Sequence, residues 1–163
     1  MNTVHQPRIV AQTGEPLETA TAAMVMVHGR GDSARGILGL ANVLDVPGVA
    51  YVAPEATGNT WYPHSFLAPM ESNEPWLSSA LQAVQGAVEE VASAGIPFER
   101  IFLLGFSQGA CLASEFMARN ARRYGGLAVL SGGLIGPEGT PRDYEGSLEG
   151  TPVFLGCSDI DSH

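Results

Sequence analysis

The sequence has little positive charge and little cysteine, and it has no long hydrophobic run. Lysine and arginine together number 8 against 17 aspartates and glutamates, which gives a formal net charge of -9. Phosphate binding needs a basic surface, so this balance argues against a nucleic-acid partner. Charged residues make up 15% of the chain and apolar residues 45%, a combination that argues against intrinsic disorder. No stretch approaches the ~18 consecutive apolar residues that indicate a membrane span.

Only two cysteines are present, Cys111 and Cys157, which is too few for a disulfide framework. We interpret both as packing residues of a protein in a reducing compartment. Residues 1–8 lack the continuous apolar core of a signal peptide, so we expect a cytoplasmic protein. The sequence shows neither a clustered set of metal ligands nor a nucleotide-type glycine loop, so we expect no metal and no organic cofactor.

The length of 163 residues fits one domain, which we expect to span 1–163. Apolar segments typical of strands alternate with segments in which apolar residues recur at helical spacing. Strands are predicted at 24–27, 49–53, 101–104, 127–130 and 153–157, and helices at 33–44, 76–94 and 110–118. Fully apolar strands that alternate with helices predict an α/β fold with a mostly parallel sheet and helices on both faces.

Residues 105–109 read Gly-Phe-Ser-Gln-Gly and lie between a predicted strand and a predicted helix. This context is typical of a nucleophile elbow, a tight turn that exposes a serine at the end of a strand. Side chains at Gly105 and Gly109 would collide in so sharp a turn, which explains the two glycines. The pattern predicts that Ser107 is a nucleophile. The alternative is a glycine-flanked serine in an ordinary strand-to-helix turn.

Residues 28–32 read His-Gly-Arg-Gly-Asp and follow the first predicted strand. A hydrolase acting through a serine must stabilise the negative oxygen of a tetrahedral intermediate, and fixed backbone N–H groups do this well. In this type of fold one donor follows the nucleophile, here Gln108, and the other lies in a loop after an early strand. Arg30 is the candidate for the second donor, and His28 is interpreted as a structural residue that orients the loop. A simple glycine turn into the next helix is the alternative.

Asp159 and Asp161 follow the last predicted strand, where a carboxylate would orient and stabilise an imidazolium. The chain order of such a site is serine, acid, histidine, so either aspartate fits by spacing; both are also common turn formers. The histidines fit poorly as the base. His5 and His64 lie at the wrong positions in the chain, and His163 is only two residues beyond Asp161.

Four segments together resemble one known family, the phospholipase/carboxylesterase family of α/β-hydrolases. They are residues 28–32, residues 105–109, Leu-Ser-Gly-Gly-Leu at 130–134 and Asp-Ile-Asp-Ser-His at 159–163. The resemblance spans nearly the whole chain in the right order. Trp-Tyr-Pro at 61–63 looks like the bacterial carboxylesterase branch rather than the acyl-protein thioesterase branch.

The resemblance implies a serine carboxylesterase that hydrolyses small carboxylic esters through an acyl-enzyme on Ser107. It makes Asp161 the acid and the N–H groups of Arg30 and Gln108 the oxyanion donors. The family places its histidine beyond the acid and a further strand, so we expect the base, the last strand and a covering helix to be absent from these residues. The domain is then C-terminally truncated and completed by the missing segment or a second copy, or it has lost its base. Alone it should be nearly inactive.

Three other functions fit the same motifs. The chain could be a binding protein that retained a hydrolase scaffold, an acyl-thioesterase, or an acyltransferase. The expected partner is a small ester substrate, with no nucleic acid and no membrane span. The 60–67 loop is a candidate pocket wall because it carries Trp61, Tyr62, His64 and Phe66, although an aromatic loop that covers the core fits equally.

Overall fold

The structure is a computed structural model, and it describes residues 3–159. Its strands are β1 (Ala11–Gly14), β2 (Ala22–Val27), β3 (Val49–Ala53), β4 (Ile101–Phe106), β5 (Gly126–Leu130) and β6 (Val153–Gly156). Its α-helices are α1 (Ala34–Leu38), α2 (Ala41–Leu44), α3 (Trp76–Ser93) and α4 (Gln108–Arg119). Short 3-10 turns lie at Thr57–Asn59, Met70–Asn73 and Phe98–Arg100.

The strands form one sheet in the order β1-β3-β2-β4-β5-β6, in which β1 is antiparallel and every other pair is parallel. The central strands are apolar along their length because layers cover both faces of the sheet. Val27 lies beside Gly105, Phe106 beside Leu130, and Leu130 beside Gly156. The carboxyl ends of β2, β4, β5 and β6 therefore meet at one edge, which is where ligands bind in such sheets.

Helices pack on both faces of the sheet, as the sequence predicts. α3 and α4 contact each other and cover β2, β4 and β5, whereas α1 contacts β1, β2 and β3 in a separate core. The face of α3 toward the sheet is rich in small residues, which lets the helix lie close to it. Its buried apolar residues are Leu77, Ala80, Ala83, Val84, Ala87, Val88 and Val91. Among residues 3–159, no helix combines the length and the apolarity needed to cross a bilayer.

The predicted strands and the two long helices are confirmed, with shifts of one or two residues at some ends. The sequence missed β1, because its residues Ala-Gln-Thr-Gly carry no apolar pattern and three of the four are exposed. The predicted helix at 33–44 is divided into α1 and α2. Ser33 does cap α1, accepting the Gly36 N–H at 3.0 Å. Between α1 and α2 the N–H groups of Gly39 and Leu40 donate to the carbonyls three residues earlier, rather than four, so the chain forms a tighter 3-10 turn there.

β6 is an edge strand of the described sheet, and its apolar side chains lie open to solvent. Val153, Phe154 and Leu155 are 46%, 61% and 71% exposed. The interpretation of Cys157 as a packing residue is wrong, because this thiol is exposed just beyond the uncovered strand. Cys111, in contrast, is buried as predicted.

Candidate active site

Ser107 lies in the turn between β4 and α4, with backbone angles φ 53° and ψ −116°. This region is strained for a residue with a Cβ, and such strain persists only where the surroundings impose it. The Ser107 N–H donates to the Leu130 carbonyl at 2.9 Å, and the Ser107 carbonyl accepts the Cys111 N–H at 3.1 Å. The predicted succession of strand, tight turn and helix is confirmed, and β5 and α4 hold the turn in place.

The two elbow glycines are required by close backbone contacts. A Cβ on Gly105 would lie 2.2 Å from the Gly109 carbonyl oxygen, as the sequence predicts. A Cβ on Gly109 would lie 2.1 Å from the carbonyl oxygen of Val27, so its obstacle is the end of β2 rather than the elbow itself. The first turn of α4 therefore packs directly on the end of β2. This contact brings the 28–32 loop beside Ser107.

A cavity of about 270 Å³ opens beside Ser107. Its walls include Arg30 and Gln108, the two predicted oxyanion residues. The other lining residues are Tyr62, Ser65, Phe66, Cys111 and Ser131. Within the described part of the chain, the backbone N–H groups of Arg30 and Gln108 donate to no carbonyl. Both remain available to a ligand oxygen, although their role as oxyanion donors stays a prediction.

The side chain of Gln108 has a role that the sequence analysis missed. Its Oε1 accepts the Trp61 N–H at 2.9 Å, and its Nε2 donates to the Tyr62 carbonyl at 2.8 Å. The amide is 6% exposed, so these bonds satisfy polar atoms that would otherwise be buried without partners. Gln108 thereby fixes the 60–67 loop to the elbow. The sequence signal for this role was the glutamine itself, a side chain with both a donor and an acceptor, placed directly after the nucleophile.

The 60–67 loop fulfils both roles that the sequence left open. Trp61 is fully buried in the core, and its indole N–H donates to the His28 carbonyl at 2.9 Å. Tyr62 and Phe66 line the cavity. The guanidinium of Arg30 donates to the carbonyls of residues 63 and 64 at 3.3 and 3.1 Å. The loop is therefore a pocket wall that the elbow and the 28–32 loop hold from two sides.

His28 and His5 brace these loops as neutral imidazoles. His28 Nδ1 donates to the Gly29 carbonyl at 2.8 Å, and its Nε2 accepts the Ala56 N–H at 3.0 Å. His5 Nε2 donates to the Trp61 carbonyl at 2.8 Å, and its Nδ1 accepts the Thr57 N–H at 3.1 Å. The structural interpretation of His28 is therefore confirmed.

The structure places no base beside Ser107 within residues 3–159. His5 and His28 have both ring nitrogens bonded to backbone, and the exposed His64 does not line the cavity. Asp161 and His163 lie outside the described residues, so the predicted acid stays a prediction. Asp159 is exposed and follows β6, at the same edge of the sheet as the elbow. Within this part of the chain, no three His, Cys, Asp or Glu side chains are grouped to bind a metal ion.

Glu115 joins α4 to a distant loop through a fully buried carboxylate. Its Oε1 accepts the Ile135 N–H at 2.9 Å and an Arg142 guanidinium N–H at 3.0 Å. Its Oε2 accepts the Arg119 Nε–H at 2.8 Å and the hydroxyl of Tyr144. Four donors thus satisfy one carboxylate, as a buried charge requires. The loop around Ile135 is thereby anchored to the helix that follows Ser107.

The buried histidines predict a dependence of stability on pH. Burial lowers the pKa of both His5 and His28, and for His28 the hydrogen bond to Gly29 and the charges of Asp32 and Glu55 oppose this shift. The unfolded chain therefore binds more protons below the ordinary histidine pKa of about 6.5. The free energy of unfolding should be largest above that pH. It should fall by up to about 1.4 kcal/mol per pH unit for each histidine as acid is added.

Urea denaturation of the wild type and of His28→Gln between about pH 7.5 and 5.5 checks this. The variant should show the shallower slope, since it lacks one of the two groups. His64→Gln is the matched control, because the side chain it removes is exposed. Equal slopes in all three proteins would contradict the prediction.

Comparison with known proteins agrees with this geometry. The family model described as Phospholipase/Carboxylesterase matches residues 9–162. A crystal structure of a phospholipase/carboxylesterase from Dyadobacter fermentans is 47% identical, with a TM-score of 0.92 over 100% of this chain and 77% of that chain. An acyl-protein thioesterase 1 of Eremothecium gossypii is 31% identical over 77% of this chain and 59% of its own length.

A second acyl-protein thioesterase 1, from Cryptococcus neoformans, is 29% identical over 71% of this chain and 56% of its own length. The chain thus spans less than two thirds of the length of each of these two thioesterases. The family match covers the 28–32 loop, the elbow and all the cavity-lining residues. With its α/β-hydrolase fold, the chain belongs to the phospholipase/carboxylesterase family.

Proposed function

We propose that this chain carries the nucleophile and oxyanion hole of a serine carboxylesterase that hydrolyses small carboxylic esters. The observation that carries the proposal is the convergence of Ser107, Arg30 and Gln108 on one cavity. Membership of a family of esterases and thioesterases supports the reaction class. The cavity, at about 270 Å³, lies below the range of drug-sized ligand pockets, which favours a small substrate.

In the proposed reaction the Ser107 hydroxyl oxygen attacks the ester carbonyl carbon, and a histidine that is not among these 163 residues takes its proton. Asp161 would orient that histidine. The tetrahedral intermediate then expels the alcohol, which leaves with the proton from the imidazolium. Water attacks the resulting acyl-enzyme through the same proton transfers and releases the acid and the free serine.

The oxyanion would accept hydrogen bonds from the N–H groups of Arg30 and Gln108. Gln108 is the first residue of the twelve-residue helix α4, whose N-terminal end favours negative charge. The 28–32 loop is held in place before substrate arrives, since the Gly31 N–H donates to the Asn59 carbonyl at 2.7 Å and the Asp32 N–H to the Gly29 carbonyl at 3.2 Å. Donors fixed in advance stabilise the transition state without reorganisation.

Covalent labelling tests the proposal. Treatment with a fluorophosphonate should add one adduct to the purified protein on Ser107, seen by intact-mass and peptide spectra, and Ser107→Ala should take up none. Added imidazole should accelerate labelling if the base lies outside these residues, and His163→Ala should label as the wild type does. Folded protein that stays unlabelled with imidazole present would contradict an activated serine. It would favour the binding-protein alternative.

An acyl-thioesterase is the second candidate, because the curated relatives described above bear that name. Thioester hydrolysis would use the same serine and the same oxyanion donors. Comparing kcat/KM for 4-nitrophenyl butyrate and for a butyryl thioester of matched size, both with added imidazole in place of the absent base, separates the two. We expect the oxygen ester to be preferred, since the 47% identity to a phospholipase/carboxylesterase exceeds the identity to either thioesterase.

A further inference from the structure

The hydroxyl of Tyr62 is buried and unsatisfied. Tyr62 is 1% exposed, and within the described residues its hydroxyl meets no acceptor with good hydrogen-bond geometry. The thiol of Cys111 lies beside it. A buried polar atom without a partner costs about 1–3 kcal/mol, so such groups are rare in native structures. This one belongs to a wall of the cavity that also contains Ser107. The fold therefore keeps a hydrogen-bond donor without a protein acceptor at the site of the chemistry.

The surroundings keep the hydroxyl protonated and its ring in place. Burial raises the pKa of Tyr62, and the neighbouring Cys111 raises it further, so the group is a neutral O–H donor. Burial also raises the pKa of Cys111, which keeps that group a thiol. A thiol sulfur is a weak acceptor and leaves the tyrosine donor available. The backbone of Tyr62 is fixed through its carbonyl, which accepts from Gln108 Nε2 at 2.8 Å.

The position of Cys111 relates the hydroxyl to the reacting centre. Cys111 lies four residues beyond Ser107, in the first turn of α4, and its N–H donates to the Ser107 carbonyl at 3.1 Å.

We propose that Tyr62 is a specificity residue that donates its hydroxyl hydrogen bond to an acceptor oxygen on the acyl chain of the substrate. The preferred substrates are then esters whose acyl group carries a carbonyl or ether oxygen, rather than plain alkyl esters. This inference rests on the proposed esterase function, because it assumes an acyl group held at Ser107. On binding, the Tyr62 hydroxyl would donate to the oxygen of the acyl chain and so gain the acceptor that the protein does not supply.

Two isosteric esters test the inference, 4-nitrophenyl 4-oxopentanoate and 4-nitrophenyl 4-methylpentanoate. The ratio of their kcat/KM values should favour the oxo ester in the wild type, and Tyr62→Phe should lower that ratio about fivefold, the worth of one neutral hydrogen bond. Comparing ratios cancels the different intrinsic reactivities of the two esters. Tyr62→Phe should also be at least as stable as the wild type, because the hydroxyl it removes has no partner.

Tyr124→Phe is the matched control, since the Tyr124 hydroxyl donates to the Asn120 carbonyl at 2.7 Å away from the cavity. It should lose stability and keep the wild-type ratio. An unchanged ratio in Tyr62→Phe would overturn the inference.

Ligand binding decides the matter if no ester is hydrolysed even with added imidazole, a result that would count against the esterase proposal alone. The N-methyl amides of the same two acids would then be titrated by NMR into Ser107→Ala protein, with and without Tyr62→Phe. Tighter binding of the oxo amide only when Tyr62 is present would support the inference on its own. Equal affinities for both amides in both proteins would overturn it.

Discussion

Gly109→Ala should destabilise the protein by more than about 4 kcal/mol, or prevent folding altogether. The added Cβ would lie 2.1 Å from the Val27 carbonyl oxygen and 2.4 Å from that of His28. Both obstacles are backbone atoms at the end of β2, where the strand pairs with β4, so neither can rotate away as a side chain could. Separating α4 from β2 would also widen the space between Ser107 and the 28–32 loop.

Circular dichroism and urea denaturation would measure this loss, with Gly133→Ala as the matched control. Gly133 lies two residues after Ser131, which lines the cavity beside Ser107, but a Cβ on Gly133 would meet nothing within 4 Å. Its replacement should change the free energy of unfolding by no more than about 1 kcal/mol. Similar stabilities for the two variants would show that α4 does not pack on β2 as described.

Glu115→Ala should cost about 3–5 kcal/mol, because it removes one member of a buried charged network. The change leaves the Ile135 N–H without its acceptor and separates Arg119 and Arg142 from their shared carboxylate. A consequence for the cavity should follow. The Gly136 N–H, next to Ile135, donates to the Phe66 carbonyl at 2.7 Å, and Phe66 is a cavity wall.

Two further variants separate charge from packing in this network. Glu115→Gln keeps the size of the side chain and should cost less than Glu115→Ala. Arg119→Ala should cost least, since the Arg119 side chain is 30% exposed and Glu115 keeps its other donors. Urea denaturation gives the order of the three, and fluorophosphonate labelling rates report the state of the site. The interpretation fails if Arg119→Ala is as damaging as Glu115→Ala.

Local pattern was sufficient to predict the elements that build the site. β2, β3, β4 and β5 are short apolar runs that are buried on both faces, and α3 repeats its apolar residues at helical spacing. The elbow was predictable because two glycines, a serine and the flanking strand and helix all lie within twenty residues. In a parallel sheet the carboxyl ends of the strands lie at one edge, and Arg30, Ser107 and Gln108 all follow such ends. Their position around one cavity could therefore also be expected.

What the sequence did not predict depends on partners far away along the chain. β1 exists because its backbone pairs with β3, and its polar side chains give no sign of this. Glu115 contacts Arg142, which lies 27 residues further along the chain in the loop between β5 and β6. The unsatisfied hydroxyl of Tyr62 is a property of packing, which no pattern of residues reports. Local propensity is informative only where neighbours in sequence are also neighbours in space.

The order of the strands has a consequence for how the protein is made. From β2 outward to β6, the strands β2, β4, β5 and β6 lie side by side in the order in which a ribosome would deliver them. Chains can fold progressively during synthesis, and here each new parallel strand would find its neighbour already in place. The 28–32 loop and the elbow would come together once β4 had paired with β2, and Ser131 would arrive with β5. A nascent chain could thus hold Ser107 in its strained turn before the acidic segment after β6 had emerged.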